Sequence, residues 1–129
     1  MKNITKKWIE FAEKDLEVAS DLLEKRHWQY CVLFCHQAIE KILKANVIKR
    51  GKTPRKIHDL ASLLGDIEIK APLHVISVIE TLNPHYMPPR YPDIAYKMKF
   101  VYTKEIAGNL LNSTKEIFQW LKDKLVHEK

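Results

Sequence analysis

The chain has 129 residues, 46% of them hydrophobic and only three of them glycine, which suits one packed domain spanning residues 1–129. Its 22 Lys and Arg against 16 Asp and Glu give a formal charge of +6, which favours anionic partners; the charge is spread along the chain and does not amount to a nucleic-acid signature by itself. No window approaches the roughly 18 apolar residues of a membrane span, and the start MKNITKKWIEFAEKDL has no unbroken apolar run, so neither a membrane helix nor a signal peptide is expected.

From about Thr5 to Lys25 the apolar residues Trp8, Phe11, Ala12, Leu16, Ala19, Leu22 and Leu23 recur at helical spacing, with Glu10, Lys14, Glu17 and Asp21 on the outer side. Asp15 breaks the pattern. It projects between Phe11 and Trp8, where an unpaired carboxylate would cost several kcal/mol. It should therefore be paired, with His36, Lys41 and Arg90 as first candidates, either as a plain structural tie or to orient a residue of a site.

Arg26 to Gln29 is too short for anything but an antiparallel turn. The next stretch, Tyr30 to Arg50, places Cys31, Phe34, Cys35, Ala38, Ile39, Ile42, Leu43 and Ala45 on one arc that Val32 widens to about half the circumference. Such a helix touches about three neighbours and should be central. Gln37, Glu40, Lys41 and Lys44 gather opposite, and Gly51 with Pro54 stops the helix. Cys31 and Cys35 are the only cysteines, and i,i+4 spacing suits a disulfide poorly. With no second ligand pair at zinc spacing, they read as two buried free thiols, which implies a reducing, cytoplasmic compartment and no metal.

Thr53 can cap a short helix with Pro54 in its first turn, Ile57, Leu60, Ala61 and Leu64 inward, and Gly65 at its end. A fourth helix, about Pro72 to Asn83, presents Leu73, Ile76, Val78, Ile79 and Leu82. Residues 83–93, NPHYMPPRYPD, hold four of the six prolines. Proline fixes φ and removes donors, so this segment should be non-helical yet stiff. It displays His85, Tyr86, Arg90, Tyr91 and Asp93, and low backbone entropy preorganises what it displays. Residues 94–102 read as irregular. Thr103 should cap a last helix to near Val126, with Ile106, Ala107, Leu110, Thr114, Ile117, Phe118, Leu121 and Leu125 as its stripe. The expected fold is all-α: an up-and-down bundle of four long helices with one extra short helix.

Taken together, AEKDLEVASDLL, YCVLFCHQAIEKILKANVIKRG, KIHDLASLL and LNPHYMPPRYPD, followed by a Tyr-Thr-led helix, resemble the HEPN domain, in order and over nearly the whole chain. The most specific pieces are Gln37 to Ala45, Ile57 to Leu60 and Arg90 to Asp93. The resemblance implies a helical bundle that works as a homodimer and pairs with a minimal nucleotidyltransferase in a two-gene, toxin–antitoxin-like system. Many members are metal-independent ribonucleases that use an Arg-x4-6-His motif. Here no His follows any Arg at that spacing, and what carries over by position is Arg90-Tyr91-Pro92-Asp93 with His58-Asp59.

The leading reading is a nucleotide- or RNA-binding module. Arg90 would grip phosphate, Tyr86 or Tyr91 would stack on a base, and His58, Asp59, His85 and Asp93 would complete the site, with Asp15, His36 and Lys41 behind it. The bland alternative pairs Arg90 with Asp93 or Asp15 and packs the tyrosines on the bundle end. A ribonuclease would need a base, an acid and a cation, which two copies of His58 or His85 with Arg90 could supply in a dimer. A third reading is a subunit that only masks or positions its partner protein. No cofactor is expected under any of them, and enzymatic activity is not the favoured reading without the motif.

Overall fold

The computed structural model describes residues 1–127, with side chains to Leu125. Six helices follow one another, with no strand among the described residues: α1 (Asn3–Glu24), α2 (Trp28–Lys49), α3 (Leu60–Ile67), α4 (Leu73–Leu82), α5 (Pro92–Met98) and α6 (Lys104–His127). The long helices α1, α2 and α6 and the shorter α4 make the bundle. Two short helices are added to it, where the sequence predicts one.

Helix α2 is the centre, as its wide apolar arc predicts. From Cys31 to Val47 every residue is buried except Phe34, Gln37 and Lys41, and the helix packs on α1, α6, α3 and α4. The burial reaches further round than the arc does. Glu40 and Lys44, predicted on the solvent side, are buried, Glu40 against His58 of the α2–α3 loop and Lys44 beside the Trp8 ring of α1. Cys31 and Cys35 are buried free thiols. Hydrogen bonding from Cys35 lowers the Cys31 pKa and raises that of Cys35, so any proton loss starts at Cys31. Gly51, at φ 77°, takes the left-handed position that ends the helix.

The buried stripe of α1 is Thr5, Ile9, Ala12, Asp15 and Ala19. Its small alanines let the backbone lie close to α2. This turns the inner face away from Phe11, which is 60% exposed instead of inward. The turn after α1 is closed by Arg26 N–H to the Leu23 carbonyl (3.1 Å) and His27 N–H to the Leu22 carbonyl (2.8 Å), with Arg26 left-handed at φ 67°.

Helix α3 starts later than Thr53 and Pro54 suggest. Its first N–H, on Leu60, is taken by Asn83 Oδ1 at 2.7 Å, a cap supplied from across the fold. It runs through Gly65 because Leu60, Leu63 and Ile67 together fill its inner stripe, and it ends with Glu68 left-handed. In α4 the inner residues are Val75, Ile79 and Leu82, whereas Leu73 is 84% exposed. Prolines do not keep residues 83–98 free of helix. Asn83–His85 form a 3-10 turn, and Pro92 occupies the first turn of α5, the one helical place where its missing N–H costs nothing. Thr103 Oγ1 accepts the Ile106 N–H (3.2 Å) at the start of α6 as expected, and the predicted stripe is buried apart from Ile106. Trp120 packs on the core of its own chain, and Pro88 and Pro89 are buried.

Candidate functional site

Three chain segments meet at the face of α2 that carries His36, Glu40 and Lys44: the α2–α3 loop with His58, the α4–α5 loop with Tyr86 and Arg90, and α1 with Trp8. The wide arc of α2 explains the meeting. A helix covered on every side must bring its polar residues under loops, and those residues then need partners.

Glu40 is the hub. Its carboxylate accepts from Lys44 Nζ at 3.1 Å and lies 3.0 and 3.1 Å from His58 Nδ1. A carboxylate only accepts, so His58 Nδ1 is the donor in this contact, and in the neutral ring Nε2 is the acceptor. The His58 side chain is 48% exposed.

His58 stacks on Tyr86 with ring centroids 3.9 Å apart and an angle of 12°. The Arg90 guanidinium sits over the same tyrosine ring, 4.5 Å from its centroid. Neither Asp93 nor Asp15 pairs with it, and among the described residues Arg90 has no ion-pair partner. Its N–H donors lie in the guanidinium plane and stay available while its face rests on the ring. Arg90 also borders a groove of about 350 Å³ with Tyr30, Pro89, Phe100 and Tyr102 along it.

Beneath this surface His36 is fully buried, and neither ring nitrogen has a hydrogen-bond partner. Its Nδ1 is 3.9 Å from Glu40 Oε1, and its ring leans on Tyr86 at 5.5 Å. Burial lowers its pKa to about 4 against the pull of Glu40, so it is neutral at pH 7. His85 is also buried. Its Nδ1 is 2.8 Å from the Tyr102 hydroxyl; burial pushes the His85 pKa down and that of Tyr102 up to about 12. Asp59 is held by Ser62 Oγ (2.6 Å) and by Asn83 Nδ2, which keep its carboxyl below the usual range. Asp15 is buried and paired with Lys41, Nζ to Oδ2 2.5 Å, the second of the three predicted partners. Tyr91 and Asp93 are exposed at the start of α5.

Of the residues read from sequence, then, His36, His58, Tyr86 and Arg90 form one contiguous group. Asp15 with Lys41, His85 with Tyr102, and Asp59 with Asn83 form tied pairs around it. Glu40 and Lys44 were missed as site residues because helical periodicity placed them outward. The signal that points to them is their place inside QAIEKILKA, on a helix too apolar to have a free face. No group of three or more metal-binding side chains occurs among the described residues, and no described helix is long and apolar enough to cross a membrane.

Comparison with known proteins identifies the family. Residues 5–124 match the HEPN domain. The chain is 32% identical, over 92% of its length and 86% of the relative's, to the Methanocaldococcus jannaschii protein named "Putative toxin MJ1304". Two crystal structures superpose closely: TT1696 from Thermus thermophilus, with TM-score 0.85, and ST0689, described as an archaeal HEPN homologue, with TM-score 0.76. Each is 25% identical; they cover 95% and 97% of this chain and 99% of their own.

Proposed function

This chain belongs to the HEPN domain family, and from that premise we propose that it is the toxin-like member of a two-gene system, binding RNA or a nucleotide through Arg90, Tyr86 and His58. The observation that carries the reading is an arginine on a proline-stiffened loop, with no acidic partner among the described residues, laid on an aromatic ring beside a histidine. A planar cation next to a stacking surface is what phosphate and base recognition need. The net charge of +6 and the similarity to a protein named as a toxin support it. The partners proposed are a second copy of the chain and a minimal nucleotidyltransferase.

The test is fluorescence anisotropy of a labelled single-stranded RNA with the purified protein in EDTA, at two salt concentrations. Binding that weakens with salt is expected. An RNA that stays free at all protein concentrations contradicts the reading.

A metal-independent ribonuclease is the second reading, favoured by one observation: His58 is oriented by Glu40, with Nε2 directed to accept a proton. A carboxylate-held histidine beside an arginine has the parts for 2′-hydroxyl activation and phosphorane stabilisation. Running the same EDTA samples on a gel separates the two. Fragments that disappear with His58→Ala establish cleavage; intact RNA leaves binding alone.

A further inference from the structure

A second cleft, of about 640 Å³, opens where the end of α1, the start of α2 and the first half of α6 meet. It shares no residue with the Arg90 groove. Arg26, Lys104 and Lys115 line it, with Trp28 and Asn112 between them and Glu24 as the one acid in its wall. The three cations are exposed, and among the described residues none is in an ion pair. Elsewhere Lys7, Lys14, Lys52, Arg55 and Lys122 have a carboxylate within 4 Å, and exposed lysines such as Lys56 and Lys70 have none among the described residues; this cleft differs in gathering three unpaired cations on one concavity. Three like charges lining one concavity repel, and an anion seated among them relieves that repulsion.

Arg26 adds a separate argument. It occupies the left-handed position that closes α1, at φ 67°, where glycine is the favoured residue. Among the described residues its side chain makes no hydrogen bond or ion pair that would reward the conformation.

We propose that this cleft binds a condensed phosphate chain, with Arg26, Lys104 and Lys115 on the phosphate oxygens. The volume lies in the range of small-ligand pockets. Three cations match the charge of a di- or triphosphate better than that of a single phosphate, and their spread over the ends of α1 and α6 and the middle of α6 suits an extended anion. Trp28, half-buried at the cleft wall, offers a face to a base if the chain is carried by a nucleoside.

Calorimetric titration of the whole chain with sodium tripolyphosphate, ATP and AMP tests this. Tripolyphosphate and ATP should bind, AMP about tenfold or more weaker, and the Lys104→Ala/Lys115→Ala double variant should lose about tenfold for both polyphosphates. Arg26→Gly should weaken binding while raising Tm by about 2–4 °C, because it relieves the left-handed residue. Lys70→Ala, which removes an exposed cation outside both clefts, should bind as wild type, which ties the loss to this cleft and not to net charge. A tighter ATP constant that falls to the tripolyphosphate value in Trp28→Phe assigns the nucleotide as source; equal constants assign the bare phosphate chain. No heat with either polyphosphate at millimolar concentration overturns the proposal. So does unchanged affinity in the lysine double variant, or a loss in Lys70→Ala equal to that in the cleft variants.

Discussion

Two buried titratable side chains on neighbouring helices have opposite needs, and each yields a measurement. Asp15 is 8% exposed and meets Lys41, whose side chain keeps 27% of its surface. Asp15→Leu strands that ammonium, but Lys41 can turn to solvent. The cost should fall between a surface pair and a sealed one, about 1–3 kcal/mol, or roughly 4–12 °C in Tm. A melt indistinguishable from wild type would show that the pair carries no net stability. His36 has no hydrogen-bond partner to satisfy it and must stay neutral. Its pKa is near 4 in the fold and about 6.5 in the unfolded chain. The unfolded state therefore takes up the extra proton, so stability is full above pH 6.5 and falls as the pH drops toward 4. The depressed pKa of His85 adds in the same direction. In His36→Phe, denaturant melts between pH 7 and 4.5 should show a shallower decline than wild type; parallel curves would place the sensitivity elsewhere.

Each helix start and stop had to be read from local residues, and here the sequence was informative in some places and silent in others. The cap at Thr103 and the stop at Gly51 depend on neighbours in the chain, and both were legible. The start of α3 was not, since its cap is Asn83, 23 residues away from Leu60. The end of α1 at Glu24 was legible within a residue, but the ends of α3 and α5 were hidden for a different reason: Glu68 and Lys99 hold left-handed positions where glycine would have announced the stop. Asn83 carries more than a cap. One amide accepts from Leu60 and donates to Asp59, the residue after His58, so it fixes the approach of His58 to Glu40. Asn83→Leu should cost about 1–3 kcal/mol by leaving the Leu60 N–H unmet. It should also broaden the His58 NMR resonances, while Tyr102 and His85 are unaffected. A sharp, unshifted His58 would mean that the stack on Tyr86 holds the ring by itself.

For the molecule as a whole, the bundle was readable because four stripes of period 3.6 and a half-apolar central helix leave few other packings. The site was half readable. Arg90, Tyr86, His58 and His36 stand out by residue type and by their short motifs, but Glu40 joins them only through His58 of the α2–α3 loop, and Lys44 only through Glu40. Exposed Ile4 and Phe11, with Trp8 and Lys41 beside them, leave an apolar patch on α1 near this site. If the chain works as a dimer, as proposed, light scattering at micromolar concentration should give about twice the 15.2 kDa of one chain, and a mass of one chain would count against it. The central claim is that Arg90 belongs to a ligand and not to the fold. Among the described residues its side chain is tied only to Tyr86, a contact worth about 0.5–1 kcal/mol. Titrating wild type, Arg90→Lys and Arg90→Ala against one labelled RNA, with melts alongside, tests this directly. The account predicts a Tm within a few degrees of wild type for Arg90→Ala and an affinity lower by about ten- to a hundredfold, with Arg90→Lys between them. Equal affinity in all three proteins, or an unfolded Arg90→Ala, would contradict it.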